Sequence, residues 1–379
     1  MPPKAHALLS ASSSHRWLNC PPSARLGENY EDKGSDYAAE GTDAHTLCEF
    51  RLREALGMET QDPTENLTWF NEEMDDCATG YAAYVLEQVE EARQACTDPI
   101  VLIEQHVDFS HWVESGFGTA DCILIADGTL QVCDYKHGRG ILVDAHENPQ
   151  MMCYALGALE LIEGIYDIHT VSMTIYQPRR DNVSTYTLPK EELYRWADTV
   201  LKPTADLAFA GKGSFLCGEW CVFCKAKYDC RARAETNLDL ARYDFKVPPL
   251  LEDREIEEIL ARVDDLVAWA ADIKEYALQQ AISGKEWNNY KLVEGRSNRR
   301  YKDETAVAQV VSQAGFDPYE HKVLSVTALQ KLLGKPRFED LLSTYIEKPQ
   351  GKPALVPVSD KRPAINTAKH DFMEENKDE

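Results

Sequence analysis

Two short segments of the chain carry acidic and basic side chains in a spacing that suits a metal ion. Asp121 stands in Gly-Thr-Ala-Asp, and Asp134 and Lys136 stand two residues apart in Val-Cys-Asp-Tyr-Lys. Because residues i and i+2 of a strand point to one face, we expect Asp134 and Lys136 to share a face. Aspartates are hard ligands for Mg²⁺ or Mn²⁺, and a nearby lysine can activate water or stabilise charge on a phosphate. The pattern indicates metal-assisted hydrolysis.

The two segments are predicted to be neighbouring strands of one hairpin. Asp127-Gly128 lies between them and is a favoured two-residue turn, so pairing across it brings Asp121 toward Asp134 and Lys136. Two carboxylates and an ammonium that converge are costly unless they are paired or bind metal. The spacing also leaves open an ordinary surface hairpin with an Asp–Lys ion pair.

Two predicted helices add a candidate ligand and candidate substrate contacts. His45 follows Gly41 near the start of a helix, and its imidazole could bind metal. Gln150 and Tyr154 are i and i+4 neighbours on the helix after the lysine strand, where they could hydrogen-bond a DNA backbone. The alternatives are a structural histidine and an ordinary polar helix face.

Taken in order, these pieces resemble the RecB-like branch of the PD-(D/E)XK nucleases. The motifs GxxxH, GxxD, DxK and QxxxY follow one another within residues 10–235, at Gly41–His45, Gly118–Asp121, Asp134–Lys136 and Gln150–Tyr154. Residue 134 is Asp rather than Glu, which the family pattern allows. The chain has no helicase motor, and in this respect it resembles phage and prophage members of the branch.

The resemblance implies a role for each matched residue. Lys136, Asp121 and Asp134 would be catalytic, and Gln150 and Tyr154 would contact the substrate. The metal ligands that it implies for Mg²⁺ or Mn²⁺ are His45, Asp121, Asp134 and the main-chain carbonyl of Tyr135.

A second group of candidate ligands is a cysteine-rich segment, CGEWCVFCKAKYDC, with four cysteines within fourteen residues. Four thiolates can bind Zn²⁺ tetrahedrally or hold an iron–sulfur cluster. Iron–sulfur members of the RecB-like branch, such as the AddB nuclease domain and the CRISPR adaptation nucleases, carry one cysteine before the core and C-x₂-C-x₅-C after it. The resemblance thus implies a [4Fe–4S] cluster on Cys20, Cys221, Cys224 and Cys230. The alternative is Zn²⁺ on Cys217 and the last three.

The elements that must position these residues are predicted to form an α/β, PD-(D/E)XK restriction-endonuclease-like core. Periodicity and turn residues predict helices at 36–57, 70–96, 147–163 and 190–210, and strands at 99–109, 118–127, 129–137 and 169–178. The order around the site is α-β-β-β-α-β. We expect a mixed central sheet flanked by helices.

Three regions are expected along the chain. Residues 1–235 form the nuclease domain with its cysteine cluster, 236–347 form a mostly helical region of unassigned role, and 348–379 form an extended tail. The middle region is predicted to hold a long acidic helix at 252–283, a short strand pair at 286–302 and two or three small helices at 303–347.

The charge of the chain opposes non-specific nucleic-acid binding. The formal net charge is −24, whereas phosphate neutralisation needs Lys and Arg. Two stretches run against this balance: 291–302 carries five basic residues and one acidic, and 225–233 carries four and one. They could form a basic groove in which Arg299 and Arg300 bind DNA, or they could be solvated surface.

Bulk features favour the cytoplasm, and the resemblance to phage and prophage proteins implies that this is the cytoplasm of a bacterial host cell. No apolar run approaches the roughly 18–20 residues that span a bilayer, and the N-terminus lacks a long apolar segment. Eleven cysteines in a reducing compartment more often bind metal or catalyse than form disulfides. The expected partner is DNA, with no membrane. A single-strand annealing or recombination protein and a homo-oligomer are further candidates.

The predicted function is that of a Mg²⁺- or Mn²⁺-dependent deoxyribonuclease, and the resemblance favours exonuclease action in DNA recombination or repair. The first alternative is a catalytically silent nuclease-like fold that holds DNA ends or a partner; intact Asp121, Asp134 and Lys136 argue against it. The second is an iron–sulfur redox or sensor protein, which the lack of a second redox motif disfavours.

Overall fold

Five strands form a mixed sheet in the computed structural model of this chain, which describes residues 7–30, 34–240, 251–294, 301–319 and 323–347. The strands are β1 (Ile100–Asp108), β2 (Phe117–Ala126), β3 (Gly128–Tyr135), β4 (Ile168–Gln177) and β5 (Asn182–Pro189). They lie in sequence order, and only the β3–β4 pair is parallel. A parallel pair needs a crossover, which the helix α5 (Pro149–Leu161) supplies.

Helices cover both faces of this sheet. The helices of the first region are α1 (Ser14–Asn19), α2 (Ser23–Gly27), α3 (Asp36–Ala55), α4 (Glu72–Ala95), α5, α6 (Lys190–Trp196), α7 (Lys202–Phe209) and α8 (Arg231–Leu238). Successive residues of β2 belong to two different hydrophobic cores, one on each face of the sheet. Cys122 and Leu124 pack with α3 and α4, while Ile123 and Ile125 pack with α5. A strand buried on both faces reads as a continuous apolar run, as CILIA at 122–126 does.

The predicted α/β class and mixed sheet are confirmed, and one strand was missed. Residues 182–189 form the edge strand β5, paired antiparallel to β4. Alternate residues of β5 are exposed, and only Leu188 is buried. Because an edge strand with one wet face needs few apolar residues, NVSTYTLP gave a weak strand signal.

Side-chain caps fix where the site-bearing helices begin. Ser35 accepts a hydrogen bond from the amide of Ala38 at the start of α3, and Asn71 does the same for α4. Asn148 accepts from the amides of Gln150 and Met151 at the start of α5. Each cap satisfies amides that the first turn of a helix leaves unpaired. The Asn148 cap therefore also fixes the main chain of Gln150.

The part of the chain after α8 differs from its prediction in several places. The expected long helix is two helices, α9 (Asp253–Leu260) and α10 (Val263–Ile282). Arg262, in the break, donates to the carbonyl of Thr236 and to Asp239 at the end of α8. In place of the strand pair, the described residues of 286–302 hold a single bridge between Trp287 and Tyr290.

The small helices predicted at 303–347 are present, as α11 (Glu304–Gln313), α12 (Val326–Leu333) and α13 (Lys335–Leu342). The predicted tail at 348–379 lies outside the described residues. Within the described ranges, no helix is both long and apolar enough to cross a membrane.

The chain divides into two compact units, Met1–Gln280 and Ala281–Glu379. The sequence places the end of the first domain at 235, whereas the first compact unit continues to 280. Within this unit, Asp272 on α10 pairs with Arg233 at 2.6 Å and with Lys227 at 3.0 Å. These ion pairs join α10 to the cysteine segment, a long-range contact that the sequence pattern does not reveal.

Candidate functional site

The hairpin strands separate just where the acidic residues stand. Pairing between β2 and β3 ends at Cys122 opposite Cys133. One residue further, Asp121 Oδ2 accepts a hydrogen bond from the amide of Tyr135 at 2.7 Å. The carboxylate thus takes the place of a main-chain acceptor at the end of the ladder. This contact holds Asp121 beside the Asp-Tyr-Lys segment.

Asp134 near the end of β3 and Lys136 just after it both contact the start of α5. Lys136 Nζ is 2.9 Å from Asp134 Oδ2 and donates to Gln150 Oε1 at 3.2 Å. Gln150 Nε2 donates to Asp134 Oδ1 at 3.0 Å and to the hydroxyl of Tyr154 at 3.4 Å. The structure therefore brings these four residues of the DxK and QxxxY motifs together in one hydrogen-bonded group.

Tyr154 is buried, with 7% of its surface exposed, whereas Gln150 is half-buried. The ring of Tyr154 packs on Gly118, where an added Cβ would lie 2.6 Å from the ring atom Cε1. The glycine of the GxxD motif is thus explained by this close approach of α5. At Gly41 an added Cβ would meet no described atom within 4 Å, so the structure gives no steric reason for the glycine of GxxxH.

A third acidic residue, Glu104, joins the site and was missed from the sequence. His45 Nδ1 is 3.2 Å from Asp121 Oδ1. One ligand atom each from His45, Glu104 and Asp121 lies within 4.8 Å of the others, the one such group found among the described residues. Asp134 is instead engaged by Lys136 and Gln150. A lone acid in the apolar run PIVLIEQHV was the signal that could have pointed to Glu104.

The backbone of β1 bends at Glu104. Its φ is +49°, a region that side-chain-bearing residues rarely adopt in a strand. Ile103 pairs with Cys122 and Gln105 pairs with Ala120, so Glu104 and Asp121 are the two residues between these pairs. Such strain costs about 1–3 kcal/mol and persists where the surroundings enforce it, often at functional sites.

The carboxylates of this site compete for positive charge. Burial, reinforced by Asp121, raises the pKa of Glu104 to about 7. Burial likewise raises the pKa of Asp134, although Lys136 acts in the opposite direction. For Asp121, burial is outweighed by His45, which holds the pKa of that carboxyl below its usual value. A bound divalent cation would relieve this crowding, because it favours the ionised form of every carboxylate around it.

The two basic side chains of the site stay charged for the same reason. Burial alone would lower the pKa of His45, but Asp121 raises it to about 9. Burial would also lower the pKa of Lys136, and Asp134 raises it instead. In the metal-free site, protonated His45 thus provides the positive charge that a cation could replace.

Arg179, just after β4, ties the helices of the site to the sheet. Its Nη1 donates to Glu40 of α3 at 2.9 Å and to the carbonyl of His137 at 3.4 Å, and its Nε lies 3.5 Å from Glu73 of α4. Glu40 is also 3.4 Å from His137 Nε2. Because α3 carries His45 and the segment before His137 carries Lys136, this network holds His45 and Lys136 in place relative to each other.

Five cysteines line a single cavity. Cys20 at the end of α1 meets the cysteines of the later segment, some two hundred residues away: Cys217, Cys221, Cys224 and Cys230. In the described ranges no three of these sulfurs lie within 4.8 Å of one another. Burial raises the pKa of the Cys20 thiol, whereas amide hydrogen bonds from Leu216 and Ser23 act to lower it.

The two basic stretches of the sequence, 291–302 and 225–233, differ in how far the structure describes them. Arg299 and Arg300 lie outside the described residues. In the other stretch, Lys227 and Arg233 line the cysteine cavity and both pair with Asp272. Lys227 and Arg233 are therefore engaged by Asp272.

Comparison with known proteins gives a family without an assigned reaction. The model of a family described as "Protein of unknown function (DUF2800)" matches residues 6–363, most of the chain. Among solved structures, the crystal structure of SSO0001 is similar at 13% sequence identity and a TM-score of 0.21, over 49% of this chain and 95% of that one. The family description names no activity.

Proposed function

We propose that this chain, which belongs to the DUF2800 family of proteins of unknown function, is a metal-dependent deoxyribonuclease with a PD-(D/E)XK core of the RecB-like type. The observation that carries the proposal is the convergence of His45, Asp121, Asp134 and Lys136 where β2 and β3 separate. Two carboxylates, an imidazole and a half-buried ammonium serve phosphodiester hydrolysis better than they serve stability.

The donor atoms suit Mg²⁺ or Mn²⁺. His45, Glu104 and Asp121 offer one nitrogen and carboxylate oxygens within 4.8 Å, and the raised pKa of Glu104 marks negative charge in need of a cation. The Tyr135 carbonyl follows Asp134 in the chain as a further candidate ligand. When bound, the cation would supply Lewis-acid polarisation of the phosphate and a bound water of lowered pKa.

Lys136 is assigned to charge stabilisation. Asp134 keeps its pKa above the usual value, so the side chain is an ammonium at neutral pH and a donor rather than a general base. Asp134 and Gln150 hold Nζ in place, at 2.9 and 3.2 Å. A preorganised positive group of this kind acts on negative charge that develops on a phosphate.

Gln150 is the residue of the QxxxY pair that we assign to substrate contact. It is half-buried at the edge of the site, whereas Tyr154 is buried behind it and accepts its hydrogen bond. Tyr154 is therefore assigned to orienting Gln150. Exonuclease action in recombination or repair, beside an annealing or recombination protein in a bacterial cytoplasm, remains the setting that we propose.

Cleavage of DNA of two topologies tests the proposal. Purified protein is incubated with linear and covalently closed circular DNA of the same sequence, with Mn²⁺, with Mg²⁺ and with EDTA. We expect metal-dependent shortening of the linear DNA and an intact circle. Cleavage of both would replace exonuclease by endonuclease action. Binding of linear DNA without cleavage under either metal would favour the silent DNA-end-binding protein instead.

We also propose that Cys20, Cys221, Cys224 and Cys230 hold a [4Fe–4S] cluster, with Cys217 as a spare thiol. The shared cavity supports this, because it places Cys20 with the later cysteines, whereas the alternative zinc site uses Cys217 in its place. Such a cluster would join the N-terminal segment to the end of the core.

A further inference from the structure

A buried serine hydroxyl lies at the cysteine cavity without a partner. Ser23 is 2% exposed and lines the cavity, and its Oγ has no hydrogen-bond partner within the described part of the chain. A hydroxyl removed from water costs stability unless another group accepts its proton in a hydrogen bond. An unsatisfied donor at the wall of a cavity points to a ligand inside it.

The main chain of Ser23 is already fixed against the first cysteine. Its amide donates to the carbonyl of Cys20 at 2.9 Å and also reaches the Cys20 sulfur. Its carbonyl accepts from Arg16 Nη1 at 3.3 Å. With amide and carbonyl both held, rotation about the Cα–Cβ bond alone sets where the hydroxyl points.

The other polar side chains at the wall are engaged. Lys227 and Arg233 pair with Asp272, and Arg16 donates to the carbonyl of Ser23. Among the buried side-chain nitrogen and oxygen atoms of the described residues at this wall, Ser23 Oγ is therefore the one without a hydrogen-bond partner. The acceptors that line the same cavity are cysteine sulfurs, which are strong acceptors once they are thiolates bound to iron.

We propose that the Ser23 hydroxyl donates a hydrogen bond to a sulfur of the cluster held by Cys20 and the later cysteines, and that this bond raises the cluster's reduction potential. The inference rests on the proposed cluster. Reduction adds one electron and thus negative charge to the sulfurs, so a donor stabilises the reduced state more than the oxidised one. Ser23 is a tuning residue and ligates no iron.

A matched pair of serines makes the test specific. Ser14 is also fully buried with an Oγ that lacks a partner in the described structure, but it is not among the residues that line the cavity. Full-length wild type, Ser23→Ala and Ser14→Ala are purified without oxygen. Iron per chain is measured, and the midpoint potential is followed by visible absorbance and by electron paramagnetic resonance of the reduced protein.

We expect Ser23→Ala to keep its iron and to have a more negative potential, while Ser14→Ala matches the wild type in both. Equal potentials in Ser23→Ala and wild type, with iron intact, would overturn the role of Ser23 and leave the cluster standing. Should Ser23→Ala lose iron, Ser23→Thr must restore both iron and potential; failure to do so assigns Ser23 to packing. A wild type with zinc and no iron would remove the cluster and this inference together.

Discussion

The carboxylate site and the cysteine cavity are held by the chain in different ways. His45, Asp121 and Lys136 stand on a helix and two strands, and hydrogen bonds or ion pairs of 2.7–3.2 Å fix their side chains. Most of the cysteines stand in turns and at helix ends: Cys20 ends α1, Cys221 lies in a short 3₁₀ turn and Cys230 precedes α8. The first site is organised by contacts between its own side chains, whereas no three sulfurs of the second lie within 4.8 Å of one another in the described part of the chain.

Each of the two sites carries a charge opposite to that of its proposed ligand. Glu104, Asp121 and Asp134 place excess negative charge at the first site, which suits a small cation. Arg16, Lys227 and Arg233 line the second. An iron–sulfur cluster with four thiolates is anionic overall, so basic neighbours stabilise it. One acidic chain can thus hold both kinds of group, because local charge rather than net charge decides.

The largest effect is expected at Lys136, if the first site is a preorganised catalytic centre. Lys136→Ala should lower the rate of DNA cleavage by roughly a hundred- to a thousandfold, since one transition-state contact of this kind is worth about 3–4 kcal/mol. DNA affinity should be preserved, because it is spread over many contacts. Lys202→Ala, at an exposed lysine of α7, is the control. A fully active Lys136→Ala enzyme would remove the assignment.

At the cysteine cavity, loss of one ligand should remove the whole cofactor. Cys20→Ser protein purified without oxygen should lose iron and the broad absorbance at about 400 nm. This loss is expected although Cys20 lies some two hundred residues before the other ligands. The variant should also be less stable, since the cluster closes a very long loop. Cys217→Ser should keep iron and colour. The opposite result is a protein that contains zinc instead of iron, loses its metal in Cys217→Ser and keeps it in Cys20→Ser.

A smaller effect tests whether the first site is positioned by its surroundings. Arg179→Met removes the tie between α3, α4 and the end of β3, so Mn²⁺ should bind about tenfold or more weakly in the absence of DNA, as is typical for partners of metal ligands. Arg51→Met is the control, because the Arg51–Asp75 ion pair at 2.7 Å also joins α3 to α4. Equal Mn²⁺ affinity in both variants would make Arg179 a structural residue only.

The smallest effect is a change in how stability depends on pH in the metal-free protein. Between the ordinary carboxyl pKa of 4.5 and the raised value of about 7, folded Glu104 keeps a proton that the unfolded chain has lost. The free energy of unfolding should therefore fall as pH rises through this window. Glu104→Gln should make the fall shallower in urea unfolding with EDTA at pH 5, 6 and 7. Parallel curves would contradict the assignment.

Local periodicity predicted much of the first site and could not predict the rest. The shared face of Asp134 and Lys136 follows from the two-residue repeat of a strand, and the Gln150–Tyr154 pair follows from the helical repeat. Glu104 depends on which strand pairs with β2 and on a φ of +49°, neither of which a local pattern encodes. The ion pair of Arg233 with Asp272, which lies within the first compact unit, is long-range in the same way.

The claim that the residues around Asp121 form a metal centre is tested most directly by counting bound Mn²⁺ without DNA. Metal-free wild type and Asp121→Asn are titrated with Mn²⁺, and free Mn²⁺ is read by electron paramagnetic resonance. We predict saturable binding of Mn²⁺ by the wild type and its loss in Asp121→Asn, because an amide is a poorer, uncharged ligand. Both proteins should show a cooperative thermal unfolding transition, which checks that the variant is folded. No saturable binding by the wild type, or equal binding by the two proteins, would contradict the account.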